Sequence, residues 1–139
     1  MRTIHAAILV ASMSIVPVAS AERASAVHKG QEAAVAWLDL LDSAQYGASW
    51  DQAAVQLQRA VPRQTWEART RALRAPLGAV LARRLKLASY TETLPELVAG
   101  QTVVLEYETR FENKVSAVET VTPIKDAQGS WKVGAYSIR

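Results

Sequence analysis

Not one cysteine occurs among the 139 residues. Disulfides, thiolate chemistry, cysteine-ligated metals and a lipidated cysteine are all excluded by that absence. Histidine is nearly as scarce, with His5 and His28 the only two. Acyl transfer of the Ser-His-acid kind needs a base held within hydrogen-bond reach of its nucleophile, and His28 lies in a segment expected to fray. Metal binding lacks ligands for the same reason, so neither a metal nor a cofactor is expected. The six glycines form no phosphate-cradling loop. Long apolar runs are missing too. The longest, Ala6 to Val18, is about 13 residues against the roughly 20 that a spanning helix needs.

What is present begins with an export pattern. Met1 and Arg2 precede the apolar run, Pro17 interrupts it, and Ala19-Ser20-Ala21 offers a small-x-small cleavage site. Residues 1–21 therefore read as a cleavable signal peptide, with Ala24-Ser25-Ala26 as a second place to cut. The expected destination is the bacterial periplasm, with no membrane span once the signal is removed. Taking 21 from 139 leaves 118 residues, enough for one domain around one core. The expected organisation is a flexible segment over 22–29 and a single domain over 30–139.

A net charge of +3 is too small to imply nucleic acid as a partner. Its distribution says more. Residues 59–86 carry seven arginines and Lys86 against Glu67 alone, whereas residues 92–119 carry six glutamates against Arg110 and Lys114. The first half is basic and the second acidic.

Hydrophobic spacing divides the chain in the same place. Ala34, Trp37, Leu38, Leu41 and Ala44 recur at helical intervals within Val27–Tyr46, and Gly47 is placed to close that helix. Ser49 with Gln52 resembles a capping box before a second helix carrying Trp50, Leu57 and Val61. A third helix follows Pro62 and should stop at Ala75, ahead of Pro76. From Arg84 the period changes to two. Four strands are expected, over Arg84–Thr93, from Val103 to about Glu112, over Val115–Ile124 and over Ser130–Ile138. Pro95 and Gly100 punctuate the first loop. The fold class is α+β: three helices packed on a four-stranded antiparallel meander.

Several strings in order resemble one bacterial family. They are Ala48-Ser49-Trp50, Arg74-Ala75-Pro76-Leu77-Gly78, Tyr107-Glu108-Thr109-Arg110-Phe111, Asn113-Lys114, Ala117 to Pro123, and Trp131-Lys132-Val133 with Tyr136 and Ile138. Together they are similar to the family known as domain of unknown function 4019 (DUF4019). The resemblance implies a small exported bacterial protein and carries no established activity. Its layout is similar, at the level of fold alone, to the cones of nuclear transport factor 2.

A two-residue turn at Asn113-Lys114 would pair Thr109 with Val118, and a four-residue loop at 126–129 would pair Thr122 with Val133. That register places Tyr107, Thr109, Thr120, Thr122 and Trp131 on the helix-facing side, where they would line any ligand pocket. It places Arg110, Glu119, Val121, Tyr136 and Ile138 on the outer side, a surface for a second copy or another periplasmic protein. Slipping by one residue would bury glutamates, which favours this arrangement. Arg63, Arg71 and Arg74 form a patch for an anionic partner, or pair with Glu67 along a solvated helix face. Asp39 and Asp42, three apart, read as solvated acids. The leading expectation is a non-enzymatic binding or interaction module. Its competitor is a small-molecule or enzymatic pocket inside the cone, with Tyr107 and Thr120 as the residues to test.

Overall fold

The computed structural model describes residues 17–92 and 100–139; most of the signal segment and Pro95 lie outside them. Four helices come first: α1 (Val18–Asp42), α2 (Tyr46–Asp51), α3 (Val55–Ala60) and α4 (Arg63–Arg74), followed by a 3-10 turn at Ala75–Leu77. Then come β1 (Val80–Thr91), β2 (Thr102–Phe111), β3 (Lys114–Lys125) and β4 (Trp131–Ile138). The strands pair antiparallel in chain order, leaving β1 and β4 as the edges. The class is α+β, helices before a meander.

Helix α1 buries Ala26, Gly30, Ala34, Trp37, Leu38 and Leu41, a stripe at three- and four-residue spacing that lies across the sheet. Gly30 permits the closest approach, since a Cβ there would stand 3.1 Å from the Val103 side chain. Residues 22–29 are part of this helix. The helix ends at Ser43 and not near Gly47. Ala44 takes the left-handed conformation at φ 57°, its N–H donates to the Leu41 carbonyl, and that of Gln45 donates to Leu40. That is a full Schellman closure built on alanine.

The single helix expected around Ser49–Val61 is two short ones. Between them Ala54 is extended, and its N–H donates to the Val133 carbonyl at 2.8 Å. The break lets the chain dock on β4. Ser49 caps nothing. It is buried within α2, donates to the Tyr46 carbonyl and accepts from the Trp66 indole. The Trp37 indole donates to the Ser49 carbonyl. Buried tryptophans need such partners for their N–H groups.

The β2–β3 register differs by one residue from the expected one. The turn residues are Glu112 and Asn113, so Phe111 faces Lys114, and Thr109 faces Ala117. Two residues of β3, Val115 and Ser116, stand opposite Arg110 alone, which is a bulge. The cause is distant in sequence. Glu112 N–H donates to Ala79, Asn113 N–H to Leu77, and the Asn113 amide to Pro76, so the segment after α4 fixes the hairpin. A further shift at Gly134 sets Val121 opposite Tyr136 and Glu119 opposite Ile138.

Candidate functional site

The slip turns Ala117, Glu119 and Val121 inward, all buried to 1% exposure or less. Glu119, Val121 and Tyr136 are thus corrected from the outer face to the helix side. Burying a carboxylate is expensive unless charge and hydrogen bonds accompany it, and here both do. Thr109 Oγ1 donates to Glu119 Oε1 at 2.5 Å and Tyr136 Oη donates to Oε2 at 2.6 Å. Arg83 Nε donates to Oε1 at 2.9 Å, and an Arg74 nitrogen lies 3.6 Å from Oε2. Both guanidiniums continue to Asp42, Arg74 at 2.6 Å and Arg83 at 2.7 and 3.0 Å. The remaining Arg74 face lies over the Phe111 ring at 5.1 Å, a cation–π contact.

Two carboxylates and two guanidiniums therefore close on each other under α4, with balanced charge. Burial alone would raise the Asp42 carboxyl, but hydrogen bonds from Arg83 and Arg74 hold it below its ordinary 3.8. Burial opposes the charge on Arg83, and Asp42 and Glu119 reverse that effect, raising its pKa. The Tyr136 phenol is pushed far up by burial and by the neighbouring Glu119, so it stays a proton donor. Every charged group in the cluster has an ionic partner, although Arg74 Nε is buried with no hydrogen-bond partner among the described residues. Tyr107 Oη is buried without a hydrogen-bond partner among the described residues, and burial raises its pKa.

The other expected site residues are dispersed. Thr109 and Tyr107 face the helices, but Tyr107 packs against the apolar core and Thr109 is spent on Glu119. Thr120 stands opposite Glu106, one position out of step with the Tyr107–Glu119 pair, so Thr120 and Tyr107 share no pocket. Thr122 is buried beside Ala135, and Trp131 lies at the far end of β4, near Lys29 and Glu22. The expected outer interface also changes character. Arg84 and Lys86 both reach Glu108 and Arg139 reaches Glu106, a solvated lattice of exposed charge. Arg110 stays exposed on it, while Ile138 is half-buried on the Glu119 side.

The anionic-partner patch loses Arg63 and Arg74 to ion pairs but keeps Arg71 exposed. Arg63 is taken by Asp51 and Glu67, Arg71 lies 5.7 Å from the Tyr46 ring, and Arg74 is 4% exposed within the cluster. Arg59 and Arg69 are left with no ion pair among the described residues, and sequence reasoning singled out neither.

Arg69 leads to the feature that the sequence missed. A cleft of about 380 Å³ runs between α3–α4 and β4, lined by Leu57, Val61, Trp66 and the exposed Leu73, with Gly134 and Ala135 on the strand side. Its polar groups are Arg69, Thr70 and Tyr136. The volume falls near the lower end of ordinary ligand pockets, roughly 300–1,000 Å³. No sequence signal marks it, because its walls come from three elements that meet only after folding.

Fold and cleft together define a small α+β domain: helices on one face of an antiparallel meander, a charge-balanced and partly buried ionic cluster and an apolar edge cleft. The profile of the family described as "Protein of unknown function (DUF4019)" matches residues 33–136, and the chain belongs to that family. No curated protein and no solved structure matches it. Among the described residues, no helix is long and apolar enough to cross a membrane.

Proposed function

We propose that this is a non-catalytic binding module of the periplasm whose recognition site is the α4–β4 cleft. One observation carries the reading: an apolar cleft holds Arg69, a cation with no partner among the described residues. The ionisable groups beneath it are already neutralised by one another. An apolar ligand bearing an anionic group complements that pairing.

Export rests on the pattern of residues 1–21 and is supported by where α1 acquires its buried residues. The first is Ala26. Cutting after Ala21 removes only exposed positions of α1, whereas cutting after Ala26 would take a core contact. The mature chain then begins at Glu22, an acid at a helix N-terminus, which the helix dipole favours.

Fluorescence of anilinonaphthalene sulfonate, an apolar anion, tests the site. The mature protein should enhance the dye's emission saturably. Arg69→Glu and Leu73→Glu should each weaken binding about tenfold or more while circular dichroism stays unchanged. Equal binding by all three proteins would place recognition elsewhere.

A further inference from the structure

The bare edge of β4 runs beside the cleft, and its backbone groups can be assigned one by one. Val118 and Arg139 exchange both backbone hydrogen bonds, at 2.9 and 3.1 Å. In an antiparallel ladder such pairs alternate with pairs whose N–H and C=O point away from the partner strand. The Glu119–Ile138 and Val121–Tyr136 pairs are of the second kind. Tyr136 and Ile138 therefore turn two N–H and two C=O groups outward, and none has a partner among the described residues. Farther up the strand the outward carbonyl of Val133 is taken by the Ala54 N–H, so this edge already accepts hydrogen bonds from extended chain.

We infer that the cleft binds an extended peptide segment that adds to β4 as a fifth strand. This rests on the cleft being the recognition site. The peptide's backbone would pair with Tyr136 and Ile138, and alternate side chains would point toward the helices. An apolar side chain meets Leu73 and Trp66. A carboxylate, from an acidic residue or the peptide's C-terminus, meets Arg69. Charge complementarity favours such a peptide over a second copy of the chain, whose own β4 carries Lys132 and Arg139 nearby and no acid between Trp131 and Ile138.

The test is selection of random short peptides with free carboxyl termini on the mature protein, followed by fluorescence polarisation of the enriched sequences. Proline is tolerated at edge positions whose N–H faces away from the sheet, so Ile138→Pro deletes one outward donor while keeping the fold. The expected result is an apolar-plus-acidic consensus whose affinity falls about two- to tenfold with Ile138→Pro, the range for one lost hydrogen bond. Dye binding should not change. N-methylation of the peptide backbone should weaken binding alike, and this serves as the decisive arm if Ile138→Pro misfolds. Enriched peptides indifferent to both changes, or dye binding with no peptide enriched, would overturn strand addition and leave the cleft standing. Neither dye nor peptide bound would overturn both. Dimers in native mass spectrometry that Ile138→Pro dissociates, with no peptide selected, would make the occupant a second copy.

Discussion

Glu119 shows how a carboxylate comes to lie in a core. Its two oxygens meet two hydroxyls and two guanidiniums, so removing the carboxylate leaves the buried Arg74 and the partly exposed Arg83 to share Asp42 alone. Glu119→Ala should cost about 3–5 kcal/mol of stability, whereas Glu108→Ala, which breaks exposed pairs, should cost less than about 1 kcal/mol. Urea titrations of the two variants make the comparison. Asp42 adds a pH dependence. Its carboxyl is held below 3.8, so the folded state binds its proton less readily than the unfolded chain does. The stabilisation is fully present above about pH 4 to 5 and is lost as pH falls through the lowered folded value. Asp42→Asn should flatten that acid limb of the stability curve. An unchanged limb would assign it to other carboxylates.

At the scale of elements, β3 tests the register. Val121 faces the core and Val118 does not. Val121→Asp should unfold the domain or cost several kcal/mol, and Val118→Asp should shift the melting temperature only slightly. The sequence led to the opposite expectation for reasons visible in the strand itself. Ala117, Val121 and Pro123 alternate with Val118, Thr120 and Ile124, so neither face is plainly more apolar. The remaining cue was the glutamate, and it misled because the arginines that neutralise it lie 36 and 45 positions away. The same distance hid the clamp of Pro76–Ala79 on the Glu112-Asn113 turn. Local signals fared better. The change from helical to twofold spacing and the Trp37–Leu41 stripe were legible, because each depends on neighbours a few residues apart. The helical path, by contrast, does not stop at Ala75 but tightens into a 3-10 turn through Pro76.

For the whole molecule, the consequence is that the proposed site moves from the outer sheet face to the α4–β4 cleft. Tyr136 and Ile138 were singled out from the sequence as parts of an outward sheet face. They belong instead to an edge, where Tyr136 offers its backbone to the cleft and its phenol to Glu119. Arg69, which no pattern distinguished, is the cation left beside that edge, while Arg63 and Arg74 are consumed by folding. Amide chemical shifts of the mature, isotope-labelled protein, followed while anilinonaphthalene sulfonate is added, test this placement most directly. The account predicts saturable shifts centred on Arg69, Leu73, Ala135 and Tyr136. Shifts centred on Glu106, Val118 and Thr120 of the outer face, or none at all, would contradict it.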